Sequence, residues 1–544
     1  MTFIVATTAL GIGALLFICL HRKIFSQHML REIQYSRYPI SRIGSSKFKG
    51  TAVICGGSLS GLLSAAVCAS YFEDVIVVES EDWLSISADA TTTTPWKQKH
   101  IRSHVMQYHQ TQSIQVYTYL SMKKILPNLD SECMKFDMRL LPANFNLYLS
   151  GQPAMVPYEH YDGSLPSCIF GSRQGLETLI RRIVLDKTLY PNITQISGSV
   201  TKVEPDSIHR KYLHQISVSQ KDKALKLIAA ALVVDCTGSS QAGLKMVDSD
   251  GHSIASVRDV RLQYDPAMRF STFKFPIPDV LSTQLPVPGG FANVGPIYNC
   301  MGNDHFNIWS QRVEGNIFMI CCGGWGVETV PRDLAEIINY ANAMNVIIKE
   351  PIPLWFFSLL ERLRDHEAAA TLSCVRVPAC YFNQLHKVVN IPSNFVALGD
   401  SVMRVNPIYA QGCTKLVMGV LCLQDMLDSA RNHPTENPDF PLSENFSKFF
   451  FAEQNRRIEP IWKFAKTNDY GYVSTVPISG EKLSNGAYTR WYWKKLSLIG
   501  LKDREVASVL WQIKMFLAPP ASYYRPHMMW KAGVAAITGV LTNS

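Results

Sequence analysis

The apolar pattern opens with Phe3–Leu20, eighteen residues without a charge, followed at once by His21-Arg22-Lys23. That length is at the lower limit for a helix that spans a bilayer. No Lys or Arg precedes the run and a basic flank follows it. The sequence therefore predicts a single-pass N-terminal membrane anchor over residues 1–24, with the main body cytosolic and the endoplasmic reticulum as the expected membrane. A buried core helix and a signal peptide are the other readings of this run. Residues 25–49 show no sustained apolar period and read as a basic linker.

Beyond the linker the periodicity changes. Thr51–Cys55 is a short apolar strand that runs into Gly56-Gly57-Ser58-Leu59-Ser60-Gly61. Leu62–Tyr71 is small and apolar, as in a helix packed on a sheet, and Val75–Val78 is a second strand ended by Glu79. This is a β-α-β unit of about 30 residues. Leu176–Leu185 has the pattern of an amphipathic helix. Val200–Val203, His214–Val218, Leu232–Asp235 and Phe395–Leu398 read as strands. Residues 255–330 are strand-like with turns, Gly412 opens a long apolar helix, and after about residue 430 the chain reads as helical and aromatic-rich.

Composition narrows the class. Hydrophobic residues make up 47% and charged residues 18%, as in a packed globular protein. The chain carries 53 Lys and Arg against 44 Asp and Glu. Seven basic residues and one acid fall in residues 21–50, so the main body is nearly neutral and a nucleic-acid partner is not expected. Thirteen Cys without CxxC spacing exclude a disulfide framework and a zinc site as readings, and no metal is expected.

Three segments carry chemistry. A tight glycine turn lets backbone approach a pyrophosphate at a helix N-terminus, and an acid after the second strand can accept from ribose hydroxyls. Gly56, Gly57, Ser58, Gly61 and Glu79 fit that role, with Ser58 where the second glycine of G-x-G-x-x-G usually stands. Leu232-Val-Val-Asp-Cys-Thr-Gly238 is a buried strand ending in small residues. Phe395-Val-Ala-Leu-Gly-Asp400-Ser401 followed by Asn406-Pro-Ile-Tyr-Ala-Gln-Gly412 places an acid at a strand end and a loop that aims a helix N-terminus.

Together with Gly171-Ser-Arg173-Gln-Gly-Leu176-Glu177, these segments resemble the FAD-dependent monooxygenases of the aromatic-hydroxylase (para-hydroxybenzoate hydroxylase) type. The likeness spans roughly residues 50–430, and squalene epoxidase is a more distant relative. It implies that the Gly56 turn binds the ADP half of FAD, that Arg102 touches FAD phosphate and that Arg173 lies near the flavin. It also implies that Asp400 holds the ribityl chain or pyrophosphate and that the helix at Gly412 faces flavin N1/C2=O. The implied fold is α/β. A Rossmann-like FAD-binding domain (50–145, 169–255 and 391–430) is interleaved with a mixed-sheet substrate domain (146–168 and 256–390). A helical C-terminal region covers 431–544, and the N-terminal membrane helix stands apart.

The implied activity is FAD-dependent monooxygenation, hydroxylation or epoxidation by dioxygen, with NADPH or NADH as reductant. The anchor, the neutral body and the aromatic C-terminal region point to a lipophilic substrate of terpenoid or polyketide type, with secondary metabolism as the expected setting. No single catalytic acid or base stands out. His104 and His109 follow the Rossmann unit, and Tyr409 is read either as pocket lining or as core. Ala410 departs from the Gly of the related Asn-Pro-x-Tyr-Gly-Gln-Gly loop. Trp491-Tyr-Trp493 lacks the Ile-Pro of the flavin halogenase segment. Two other classes share these features: an FAD-dependent reductase or dehydrogenase of an isoprenoid double bond, and a non-catalytic FAD-fold binding protein.

Overall fold

The computed structural model describes residues 46–81, 95–97, 102, 105–220, 222, 224–249, 257–300, 306–437 and 439–538. The expected membrane anchor, most of the basic linker and His104 lie outside the described residues. Among the described residues no helix is long and apolar enough to cross a membrane.

Five parallel strands form the sheet that organises the site: β1 (Phe48–Cys55), β2 (Phe72–Glu79), β3 (Ile193–Ser197), β4 (Leu232–Asp235) and β5 (Phe395–Ala397). Their spatial order is β5-β4-β1-β2-β3. Cys55 pairs in register with Asp235 on one side and Val78 on the other. Parallel strands are covered on both faces, which is why Ala52–Cys55 and all of β4 and β5 are buried apolar runs apart from Asp235. Helix α1 (Leu59–Cys68) is buried along its whole length. It packs against α2 (Arg173–Leu185) and α3 (Gly412–Asn432), and α4 (Phe446–Asp469) packs on α3.

The chain reverses direction across the sheet between β1 and β4. In open α/β sheets this switch point, outside the carboxyl ends of the strands, is where ligands bind. The turns after β1, β4 and β5 all converge there.

A second sheet of seven strands lies in the 147–153 and 268–376 segments, in the order 371–376, 268–276, 317–325, 307–313, 297–299, 147–149, 152–153. It is antiparallel except where Ile297–Asn299 runs parallel to Leu147–Leu149. Leu334–Ile347 and Leu354–Arg362 form helices whose apolar faces complete a second core with Phe275, Phe318 and Tyr298. Residues 487–538 fold into three further helices with a small core of their own around Leu496, Val506 and Met528.

Candidate functional site

The turn from β1 into α1 is made of backbone. Gly56 has φ +107°, and a Cβ there would lie 2.4 Å from the Cys236 carbonyl oxygen just beyond β4. Gly61 lets α1 close onto this turn, because a Cβ would come within 1.8 Å of the Gly56 carbonyl oxygen. The Gly57 N–H donates to Glu79 Oε2 at 2.8 Å. Ser58 stands at the N-cap of α1, yet its hydroxyl does not cap the helix. It donates instead to Glu177 Oε2 at 2.7 Å. No acid occupies the first turn of α1, so the helix presents its N–H groups and positive dipole end with no side chain covering them.

Glu177 is the centre of a buried ionic knot. It accepts from Arg102 at 2.6 Å, Tyr108 at 2.8 Å, Arg181 at 3.0 Å and Arg173 at 3.3 Å. Burial pushes its carboxyl up, but the charges of Arg102, Arg173 and Arg181, with the Ser58 hydroxyl, outweigh burial and hold it at about 2.

Two of the expected site residues are already engaged with one another beneath the turn. Arg102, expected at a FAD phosphate, is buried and spread over Glu79, Glu81 and Glu177. Glu79, expected at ribose hydroxyls, already accepts from Gly57, Arg102, the Ser80 hydroxyl and the Glu81 N–H. A buried carboxylate and guanidinium neutralise each other, since either one left alone in the interior is costly. Both residues therefore fasten the glycine turn.

Arg173, the first residue of α2, reaches the other way. One terminal nitrogen donates to Ser58 Oγ at 2.8 Å and the other lies 3.9 Å from Cys413 Sγ in the first turn of α3. Its Nε is buried without a partner. The N-cap of α3, Gln411, makes no side-chain cap, and no acid stands in the first turn. A Cβ on Gly412 would meet no atom within 4 Å, so this helix end faces open space. Asp400, after β5, pairs with Lys415 of α3 at 2.6 Å. Burial raises the Asp400 carboxyl, but Lys415 together with the charges of Arg404 and Arg173 outweighs it and holds the group below the usual carboxylate range. Its side chain is 29% exposed, so Asp400 can still meet a ligand, unlike buried Glu79 and Glu177.

These residues fit a cofactor with a diphosphate at one end and an electron-rich ring at the other. Two uncapped helix ends, the orphaned Arg173 Nε and the partly open Asp400 meet at the sheet's switch point. Gly56, Gly57, Ser58, Gly61, Arg173, Asp400 and Gly412 are brought together there, with Glu79 and Arg102 beneath them.

Beside the α3 end, Pro407 and Ile408 form one wall of a pocket against the seven-stranded sheet. Met268, Phe270, Trp309 and Cys321 give it apolar sides, and Asn307, Gln110 and Thr111 add polar atoms. Its cavity volume is about 30 Å³, within a depression open to solvent. Tyr409 belongs to the core, since its hydroxyl donates to Asp469 and its ring packs on Phe464. His109 precedes the pocket residues, and burial with the Lys274 charge pushes its imidazole down, toward the neutral form. Trp491 and Trp493 lie on the 487–500 helix, away from the pocket lining.

Sequence reasoning missed Lys415 and Asp469. Lys415 sits one turn into a helix whose pattern is apolar. Asp469 is fully buried at the end of α4. No motif marks it, because its partners come from residues 264, 325, 406 and 409.

No protein-family model and no curated protein sequence matches the chain. Solved structures are similar in fold. A flavoprotein/dehydrogenase from Cytophaga hutchinsonii superposes with a TM-score of 0.54 at 10% identity, over 90% of this chain and 100% of the other. The flavin-dependent brominase Bmp2 gives 0.52 at 11% identity, over 90% and 99%. PqsL, a probable FAD-dependent monooxygenase from Pseudomonas aeruginosa, gives 0.52 at 14% identity, over 82% and 99%. The chain thus has the fold of flavin-dependent oxidoreductases over nearly their whole length.

Proposed function

We propose that the protein is an FAD-dependent monooxygenase that inserts one oxygen atom of dioxygen into a lipophilic small molecule, with NADPH or NADH as the source of electrons. The observation that carries this reading is Arg173, one side chain in contact with the N-terminal turns of both α1 and α3. Two uncapped helix ends joined by a guanidinium suit a ligand that is anionic at one end and electron-rich at the other.

Bound FAD would supply two-electron redox chemistry and the activation of dioxygen. The chain's own contributions follow from its geometry. The Leu59, Ser60 and Gly61 N–H groups at the start of α1 would donate to diphosphate oxygens. Asp400, held ionised by Lys415, accepts from the ribityl hydroxyls. The N–H groups opening α3 would donate to the electron-rich ring edge of the bound group. Met268, Phe270, Trp309 and Ile408 give the pocket beside that edge apolar walls, which suits an apolar substrate. The Gln110, Thr111 and Asn307 side chains offer a few polar contacts that orient it.

We further propose that Phe3–Leu20 anchors the protein in the endoplasmic reticulum membrane, where a lipophilic substrate partitions. The test of the activity is purified full-length protein given candidate lipophilic compounds, reductant and labelled dioxygen. Bound flavin and product carrying one labelled oxygen support the reading. Unlabelled product with an altered carbon–carbon double bond would make the protein a reductase or dehydrogenase, and a protein that never takes up flavin would overturn the assignment.

A further inference from the structure

Asp469 is fully buried and accepts four hydrogen bonds. Oδ1 receives the Tyr409 hydroxyl at 2.8 Å, the Trp325 indole N–H at 2.8 Å and the Asn406 amide at 3.0 Å. Oδ2 receives the Tyr264 hydroxyl at 2.7 Å. Among the described residues no cation is paired with it. A buried charge without a counter-ion is unfavourable unless its donors are obligatory. Here four donors converge, and only an acceptor-only carboxylate takes all of them without turning one around.

The donors come from three places. Tyr264 ends the 261–264 strand and Trp325 ends the 317–325 strand of the seven-stranded sheet. Asn406 and Tyr409 belong to the loop that opens α3. That loop needs holding, because Ala410 sits at φ +55°, a conformation an L residue adopts at a cost of about 1–2 kcal/mol. Its carbonyl is tied separately by Gln115 at 2.7 Å.

We propose that Asp469 is a positioning residue: it ties the Asn406–Gln411 loop to the 261–264 and 317–325 strands and so sets where the N-terminal end of α3 and the pocket wall of Pro407 and Ile408 stand. The consequence for the cofactor ring rests on the FAD reading above; the consequence for the loop does not.

Burial pushes the Asp469 carboxyl up to about 6, with its four hydrogen bonds pulling it back down. The other titratable groups facing it are the phenols of Tyr264, Tyr409 and Tyr472 and the thiol of Cys380. Cys380 also feels Arg404 and Asp265. Protonation of Oδ2 turns it into a donor that the Tyr264 hydroxyl can accept, so the four contacts persist with one reversed. Because the buried carboxyl holds its proton more tightly than a solvated one, the lock is tightest below about pH 6 and loosens as pH rises through that value.

Two measurements test this on full-length protein. Hydrogen exchange of the 406–412 amides, in flavin-free protein, should rise about tenfold in Asp469→Ala, the loss of roughly one net hydrogen bond. In the wild type, relative to the intrinsic rate at each pH, it should also rise as pH goes up through about 6, and this step should vanish in Asp469→Asn, which cannot titrate and can keep three of the four bonds. In flavin-loaded protein, sulfite addition to the ring places negative charge near the α3 end. Its affinity should fall about tenfold in Asp469→Ala, with FAD affinity changed less than about threefold because the diphosphate end at α1 is untouched. Unchanged loop exchange in a folded Asp469→Ala, or the same pH step in Asp469→Asn, overturns the proposal. If Asp469→Ala does not fold, the pH step in wild type against Asp469→Asn decides alone. Failure to bind flavin would remove the FAD reading and leave the exchange result to stand or fall by itself.

Discussion

At the scale of single residues, the site holds two buried carboxylates that replace their lost water in opposite ways. Glu177 does so with three guanidinium groups, and its carboxyl is held at about 2. A depressed carboxylate contributes stability that is complete above its unfolded value near 4.5 and is lost as pH falls toward 2. Glu177→Gln should therefore lower the melting temperature strongly at pH 7, where it leaves Arg102, Arg173 and Arg181 short of a counter-charge, a cost of about 3–5 kcal/mol. The gap between variant and wild type should shrink below about pH 4. A gap independent of pH would mean that charge at Glu177 does not hold the knot. Ala410 gives a second expectation at this scale. Glycine removes the strain of the left-handed position, so Ala410→Gly should raise the urea midpoint by an amount equivalent to about 1 kcal/mol, provided the loop stays locked at Asn406 and Tyr409.

At the scale of elements, the two helix ends answer differently to the same change. A Cβ on Gly61 would strike the Gly56 carbonyl at 1.8 Å, whereas a Cβ on Gly412 meets no atom. Gly61→Ala should lower thermal stability with or without flavin. Gly412→Ala should leave the flavin-free protein's melting temperature unchanged and weaken FAD binding, because its methyl enters the space assigned to the ring. Equal FAD affinity in Gly412→Ala would move the ring elsewhere. The β1-α1-β2 unit and the end of β5 were legible in the sequence because their signals are local: apolar runs, then glycine or acid within a few residues. The ion pairs of Arg102 and Glu79 with the elements around them were not. They depend on Glu177, which lies 75 residues beyond Arg102 and reaches it only through the packing of α2 against α1. Asp469 was still less legible, since its donors lie 60 to 205 residues away along the chain and its own helix has an ordinary amphipathic pattern.

At the scale of the whole molecule, charge and exposed apolar surface are distributed together. The chain's +9 is concentrated at its two ends. Residues 21–50 carry seven basic residues and one acid, and residues 487–538 carry eight basic residues and two acids, while the remainder is slightly negative. The first basic stretch follows the apolar run Phe3–Leu20. The second contains the 526–538 helix, whose outward face leaves Trp530 73% and Ile537 88% exposed. Basic side chains beside exposed aromatic and aliphatic ones suit an anionic bilayer surface, held by apolar insertion and by headgroup attraction that salt screens. The two ends should then contribute differently. Full-length protein should need detergent for release. Protein lacking residues 1–24 should lose the spanning segment and remain bound to anionic vesicles only at low ionic strength, leaving them as salt rises past the point where the Debye length falls below about 10 Å. Fractionation and vesicle sedimentation of the two forms check this. Full-length protein that is soluble without detergent, or an N-terminus processed after residue 20, would remove the anchor. A truncated form that ignores anionic vesicles at every salt concentration would confine membrane contact to the N-terminal segment.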